Sequence, residues 1–168
     1  MHGSGCAPSD TESTSEPGEL QAATIARVSD GDSLRLTNGQ KVRLLQIDAP
    51  EREKDCYGRA AARALDALVP KGTRVILEPD AGLDDLDTYG RLLRYVLVDG
   101  ENVNLSLVES GAAAPYFFRK ERGRYAEDLL AAAKSARAVR RGLWGACPKA
   151  ELNTGLGSVT GPASTEHR

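Results

Sequence analysis

Two carboxylates stand one residue apart early in the chain, in the stretch Asp30-Gly31-Asp32-Ser33. Side chains at positions i and i+2 of an extended chain point to the same side, so these carboxylates repel each other unless a cation or an arginine lies between them. A polar turn is the alternative and, for this stretch taken alone, the more frequent use of Asp-Gly. An EF-hand loop is excluded, because Leu34 occupies the position of the third ligand.

A second acidic stretch, Asp48-Ala49-Pro50-Glu51, ends a predicted buried strand. Proline restricts Ala49 to an extended conformation, which can aim the Ala49 carbonyl at the same place as the Asp48 carboxylate. Asp32, Asp48 and this carbonyl would form an oxygen-only site. Such a site suits Ca²⁺, with Mg²⁺ as the second choice.

Arginines near both stretches could bind an anion at such a site. Arg43 lies five residues before Asp48, so strict alternation along a strand would put their side chains on opposite faces. A shared site requires a bulge or a sharp bend between them, and we predict it at the polar residue Gln46. Arg91 follows a Tyr-Gly turn at the start of another predicted strand. Exposed surface positions are the alternative for both arginines.

The composition excludes several classes of catalytic and metal site that depend on histidine. The chain has 168 residues and only two histidines, His2 and His167, which stand in the terminal segments. Catalytic triads, Cys-His pairs and multi-histidine zinc sites all need histidine near the core. An enzyme built on this chain would therefore use carboxylates, arginines and a hard metal ion.

The elements that must position these residues are five strands and three helices. Asn38-Gly39 and Asp99-Gly100 are typical hairpin turns. Apolar patterning predicts strands over 22–28, 33–36, 40–47, 74–77 and 91–98, and helices over 58–69, 104–110 and 121–140. This order favours an α+β fold, a small closed barrel with the helices packed outside, as in the five-stranded Greek-key barrel of the OB-fold.

The ends of the chain differ from its middle. Residues 1–19 and 150–168 are rich in small and polar residues with little to bury, so we predict a disordered leader and a disordered C-terminal tail around a domain at 20–149. Cys6 follows Ser4-Gly5, which suits a lipoprotein attachment site in part, although no signal segment precedes it. Cys56 and Cys147 either pair in an oxidising compartment or are buried free thiols.

Taken in order, these stretches resemble the staphylococcal-nuclease-like (thermonuclease) family. The resemblance rests on Asp-Gly-Asp-Ser, on Arg-Leu-Leu-x-x-Asp-x-Pro-Glu, on Tyr-Gly-Arg and on the late Gly142-Leu143-Trp144, and it covers about residues 22–144. It implies an OB-type barrel and a Ca²⁺-dependent phosphodiesterase that cleaves DNA and RNA and leaves 3′-phosphate ends. We also expect a monomer with a preference for single strands and no stable protein partner, secreted or lipid-anchored at the surface of a bacterium.

The resemblance also implies a role for each of nine residues. They are the metal ligands Asp32, Asp48 and the Ala49 carbonyl, with Asp30 nearby through water, the general base Glu51, the phosphate-binding Arg43 and Arg91, and the nucleotide-pocket residues Tyr89 and Tyr116. The sequence departs from the family at Thr88, where lysine is usual, and at Phe118, where tyrosine is usual. Two alternatives stay open: a catalytically weak module of the same fold that binds single-stranded nucleic acid, and a protein-binding barrel.

Overall fold

Short segments with alternating apolar residues form the strands of this protein. The computed structural model describes residue 3 and residues 18–162. Within that part of the chain the strands are β1 (Gln21–Asp30), β2 (Ser33–Leu36), β3 (Lys41–Leu44), β4 (Ile47–Asp48), β5 (Arg74–Glu78), β6 (Leu92–Val98), β7 (Glu101–Asn102), β8 (Ala114–Pro115), β9 (Glu151–Asn153) and β10 (Gly157–Val159). The helices are α1 (Gly58–Leu68), α2 (Val103–Glu109), α3 (Ala126–Ala138) and α4 (Leu143–Ala146), with a 3₁₀ turn at Phe118–Lys120.

Five of the strands close into a barrel. The sheet runs in the order β3-β2-β1-β5-β6-β7, and β3 also pairs with β6 in parallel, with Val42 opposite Leu92. Alternate residues of these strands fill the interior, where Ile25, Leu34 and Leu77 are at most 1 % exposed. The structure confirms the predicted α+β fold, a five-stranded Greek-key barrel of the OB type with helices outside. A fourth helix, the single turn α4, was not predicted.

The helices cover the barrel through small and aliphatic residues. Ala61 and Leu65 on α1 and Leu129 and Ala133 on α3 belong to the same buried cluster as the barrel interior. Helix α3 begins five residues later than predicted, since Arg119 and Lys120 adopt positive φ in the 3₁₀ turn. The next residues, Glu121 and Gly123, form hydrogen bonds with the side chain of Gln46 rather than helical hydrogen bonds.

Asn104 is a buried polar residue that joins a helix to the barrel. It is 0 % exposed, and its side-chain oxygen accepts from the Val96 N–H at 3.1 Å. Its amide nitrogen donates to the carbonyl of Leu45 at 2.9 Å. Buried polar groups need such partners, and here they fix α2 against the end of β3, where the chain bends.

The C-terminal segment differs from its prediction. Within the tail predicted to be disordered over 150–168, β9 and β10 instead form an antiparallel hairpin, and residues 163–168 lie outside the described residues. The Asn153 side chain accepts hydrogen bonds from the N–H groups of Gly155 and Leu156, which is an Asx-type turn. The hairpin is fixed to the body where the Phe117 N–H donates to the Thr154 carbonyl at 2.8 Å. The predicted leader and Cys6 lie outside the described residues, apart from residues 3, 18 and 19.

The two remaining cysteines form a disulfide. Cys56 lies just before α1 and Cys147 just after α4, with their Cα atoms 5.9 Å apart. Of the two alternatives open from the sequence, the structure therefore gives the pair and not the free thiols. None of the helices among the described residues is long and apolar enough to cross a membrane.

Candidate active site

A sharp bend separates β3 from β4 and brings Arg43 and Asp48 to one side. Gln46 has a φ of 61°, and its side chain is held at both ends. Its nitrogen donates to the Glu121 carbonyl at 3.1 Å, and its oxygen accepts from the Gly123 N–H at 2.7 Å. The predicted interruption of the strand at Gln46 is confirmed. The residues that form hydrogen bonds with its amide lie 75 and 77 positions away in the sequence, so local sequence patterns could not have identified them.

Arg43 lies between two carboxylates that come from different elements. Its Nη2 is 3.2 Å from Asp32 Oδ2 and 2.8 Å from Asp48 Oδ1. Its Nη1 donates to the carbonyls of Leu44 and Ile47, both at 2.7 Å. The guanidinium is thereby fixed in place, and the two acids meet at one of its nitrogens.

Asp30 is oriented differently from the prediction. Asp30 and Ser33 are opposite each other in the β1–β2 pair, so Gly31 and Asp32 form the turn and the rule for extended chains does not apply. Asp30 Oδ1 accepts from the N–H groups of Gly31 and Arg52, at 2.9 and 3.1 Å. Burial raises the pKa of Asp30, and the nearby charge of Asp32 adds to that effect. The close carboxylate pair is thus Asp32 with Asp48, and Asp30 lies beside it.

Burial dominates the electrostatics of Asp48. It raises the pKa of this carboxyl from 3.8 to about 6, with the guanidinium of Arg43 acting against the rise and the charge of Asp32 adding to it. A backbone N–H from Ser158 on β10 also favours the ionised form. Two acids this close and this buried are stabilised by any positive charge placed between them.

The raised pKa of Asp48 gives a pH dependence of stability in the metal-free protein. Between pH 3.8 and about 6 the folded state keeps a proton that the unfolded state has lost. The contribution of Asp48 to the free energy of unfolding therefore falls as the pH rises through this window and is constant above it. We expect urea unfolding in EDTA to show this fall for the wild type and not for Asp48→Asn. Parallel pH profiles of the two proteins would contradict it.

Arg91 is linked to Asp32, one member of the carboxylate pair, through the hydroxyl of Ser33. Its Nε donates to Asp87 Oδ2 at 2.6 Å, and its Nη1 is 3.4 Å from the Ser33 hydroxyl. That hydroxyl donates to Asp32 Oδ1 at 2.9 Å. The guanidinium carbon lies 5.5 Å from the centre of the Tyr89 ring, within cation–π distance. Asp87, which holds Arg91, was not among the residues predicted for the site. An acid four residues before the arginine was the available signal.

An open cleft of about 300 Å³ lies beside the two arginines. Both predicted nucleotide-pocket residues line it, and Tyr89 is 82 % exposed. The cleft combines aromatic, cationic and acidic side chains, among them Arg43, Asp87, Tyr89, Arg91, Tyr116, Phe118, Arg119 and Glu121. Exposed aromatic rings next to guanidinium groups suit the bases and phosphates of a nucleic acid.

Glu51 neither lines the cleft nor contacts the carboxylate pair. Its carboxylate is 2.8 Å from Lys54 Nζ, and the side chain is 56 % exposed. Of the predicted catalytic residues, Arg43 and Arg91 therefore line the same cleft, and Glu51 does not. It influences Asp30 through its charge.

The donors present suit a hard cation. Among the described residues no group of three or more His, Cys, Asp and Glu is arranged to hold a metal ion. Asp32 and Asp48 nevertheless face one point, and the predicted backbone ligand Ala49 is joined to Asp32 by its N–H at 2.8 Å. The side-chain donors at this point are carboxylate oxygens, which in this structure bind the guanidinium of Arg43. A divalent cation fits this chemistry.

Several known proteins are similar to this chain in sequence. A family model described as Staphylococcal nuclease homologue matches residues 41–146. The SPbeta prophage-derived endonuclease YokF of Bacillus subtilis is 35% identical over 134 residues, which are 75% of this chain and 45% of that protein. Endonuclease YncB of Bacillus subtilis is 34% identical over 134 residues, 75% of this chain and 63% of that protein. An uncharacterized endonuclease of Escherichia coli O157:H7 is 36% identical over 126 residues, 71% and 74% of the two chains. The chain thus spans less than two thirds of both Bacillus relatives.

Proposed function

Because the chain belongs to the staphylococcal nuclease family, we propose that it is a Ca²⁺-dependent endonuclease that hydrolyses phosphodiester bonds of DNA and RNA. One observation carries the proposal: the carboxylates of Asp32 and Asp48 meet at the guanidinium of Arg43. Arg91 is joined to Asp32 through the Ser33 hydroxyl. Acids for a cation and two forked donors for a phosphate are the parts that phosphodiester hydrolysis needs.

Each residue of the site has its own role in the proposed reaction. Arg43 and Arg91 bind the oxygens of the scissile phosphate and stabilise the charge that develops on them. Asp32, Asp48 and the Ala49 carbonyl hold the cation, which when bound withdraws charge from the phosphate oxygens. Tyr89 and Tyr116 contact the sugar and base of the substrate beside the cleft. Tyr89 is exposed and Tyr116 is half-buried in the cleft, where an unstacked base can contact the rings, so single strands are the preferred substrate.

Glu51 is the proposed general base. It lies three residues after Asp48, and its half-exposed carboxylate can accept a proton from an attacking water. Attack opposite the 5′-oxygen would release that oxygen and leave a 3′-phosphate. No histidine is needed for these steps.

A cleavage assay with three outcomes tests the proposed function. Purified protein is incubated with end-labelled single-stranded DNA in CaCl₂, in MgCl₂ and in EDTA. We expect cleavage in CaCl₂ and none in EDTA, with 3′-phosphate ends that a 3′-phosphatase removes. Retention of the DNA in a gel without cleavage would support the binding module instead. Neither cleavage nor retention would support the protein-binding barrel. Parallel arms with RNA and double-stranded DNA give the substrate preference, and gel filtration tests the expected monomer.

Replacing Glu51 by glutamine should lower kcat by about 10²-fold, since an amide cannot accept the proton and general-base assistance is worth at least that factor. Ca²⁺ affinity, measured by calorimetry, should change little. The matched control is Glu53→Gln, another exposed acid of the same loop, which pairs with Arg59. An equal loss of Ca²⁺ affinity in Glu51→Gln would make Glu51 a metal ligand rather than a base.

The proposed place of action is outside the cytoplasm of a bacterium, either secreted or attached to the surface. The Cys56–Cys147 disulfide supports this, because structural disulfides persist in oxidising compartments. Fractionation of cells that express the full reading frame, with thiols alkylated before lysis, tests it. We expect the oxidised protein in the extracellular or envelope fraction. Reduced protein confined to the cytoplasm would contradict the proposal.

A further inference from the structure

The C-terminal hairpin reaches into the active site and holds Asp48. The N–H of Ser158 donates to Asp48 Oδ2 at 2.7 Å, and the Ser158 hydroxyl donates to the Asp48 carbonyl. The two residues are 110 positions apart. One short strand at the end of the chain thus binds both the side chain and the backbone of a proposed metal ligand.

The hairpin can approach this closely because residue 157 is a glycine. Gly157 has a φ of +81°. A Cβ at this position would lie 2.7 Å from Asp48 Oδ2 and 3.0 Å from its Cγ. Both distances are shorter than van der Waals contact, so any larger residue would push the hairpin or the carboxylate away.

Several contacts fix the hairpin so that it can position another residue. The Phe117 N–H donates to Thr154 in the turn, and the Cys56 N–H donates to the carbonyl of Gly161 just beyond β10, at 3.1 Å. The disulfide at Cys147 ties down the start of the same segment. The hairpin lies entirely outside residues 41–146, the part of the chain that the family model matches.

We propose that Gly157 and Ser158 are positioning residues for Asp48. With Oδ2 bound by the Ser158 N–H, the carboxylate cannot rotate freely, and Oδ1 is the oxygen turned toward Arg43 and Asp32. The hairpin would therefore set which oxygen of Asp48 is available to a bound cation. Groups that orient a metal ligand typically change metal affinity by about 10–100-fold when they are removed. This inference rests on the proposed function.

The test uses the full chain and two glycines of one hairpin. Gly157→Ala should weaken Ca²⁺ binding about tenfold in a calorimetric titration with CaCl₂ alone, and should lower kcat for single-stranded DNA with little change in KM. Gly155→Ala is the matched control, because a Cβ there meets only the Asn153 side chain at an ordinary 3.6 Å. It should bind Ca²⁺ like the wild type.

A second variant keeps the test decisive if Gly157→Ala does not fold. Ser158→Ala leaves the backbone N–H and removes only the hydroxyl, and it should weaken Ca²⁺ binding roughly threefold. The inference is overturned if the wild type binds Ca²⁺ and cleaves DNA while Gly157→Ala and Ser158→Ala match it. Tighter Ca²⁺ binding or faster turnover in either variant also overturns it, and would make the hairpin an inhibitory cover. A wild type that neither binds Ca²⁺ nor cleaves DNA would instead refute the proposed function.

Discussion

Arg43→Ala is expected to lower turnover of single-stranded DNA by about 10³-fold and to destabilise the metal-free protein by about 3–5 kcal/mol. The catalytic part of this effect follows from the phosphate. Removing one preorganised donor to a developing negative charge commonly costs about 10²–10³ in rate. Arg43 is the guanidinium group that contacts both carboxylates. Arg43→Lys should recover little activity, because an ammonium lacks the fork that matches a phosphate.

The effect of Arg43→Ala on stability follows from what the substitution leaves behind. Asp32 and Asp48 would face each other without a counter-charge, and two carbonyls would lose their donors. Breaking a largely buried ion pair by removing one partner is strongly destabilising, because a charge is left unpaired. Saturating Ca²⁺ should therefore restore more stability to Arg43→Ala than to the wild type.

Urea unfolding in EDTA and in CaCl₂ measures the loss of stability in Arg43→Ala, and the cleavage assay measures its loss of turnover. The matched control is Arg27→Ala, an exposed arginine on β1, which should change neither stability nor turnover appreciably. Turnover of Arg43→Ala close to the wild-type rate would end the proposed role of Arg43. A stability loss that Ca²⁺ does not reduce would assign the residue to packing rather than to the charge of the site.

Removing the disulfide should have the largest effect on stability alone. Cys56 and Cys147 are 91 residues apart, so the bond closes a long loop. A cross-link over that length is expected to contribute about 4–5 kcal/mol by restricting the unfolded chain. At roughly 2–4 °C per kcal/mol for a chain of this size, the melting temperature should fall by about 10 °C or more.

The double variant Cys56→Ser, Cys147→Ser and the reduced wild type should both show this loss in thermal unfolding. Reductant should have no further effect on the double variant, which serves as its own control. An unchanged melting temperature on reduction would mean that the bond is absent or that it does not constrain the unfolded chain.

Local patterns were sufficient for the barrel and for the bend in the site. Alternating apolar residues and the Asn38-Gly39 turn are local signals that depend on adjacent residues, and they predicted the five barrel strands. The bend at Gln46 was predicted from spacing alone. Arg43 and Asp48 are five residues apart, and residues an odd number apart cannot lie on the same face of a regular strand. The pairing of Asp32 with Asp48 across the turn and the bend depends on the closed barrel, so it could be proposed from the residue types and from the resemblance but not from local strand patterns.

The features that the sequence did not reveal depend on contacts between distant parts of the chain. The segment before α3 has helical composition, but the Gln46 amide captures its N–H and carbonyl groups and delays the helix. The hairpin of β9 and β10 has few apolar residues, and hydrogen bonds to Asp48, Phe117 and Cys56 hold it instead. Hydrophobic periodicity cannot detect an element held in this way.

The Cys56–Cys147 bond also determines what happens if a protease cuts the chain. The segment between β5 and β6 is mostly exposed and carries protruding side chains such as Leu86 and Tyr89. It is the kind of surface loop that is nicked first. A cut there falls inside the covalent ring from Cys56 to Cys147. The two fragments would therefore stay joined, with Arg43 on one and Arg91 on the other, as a two-chain molecule whose barrel strands remain paired.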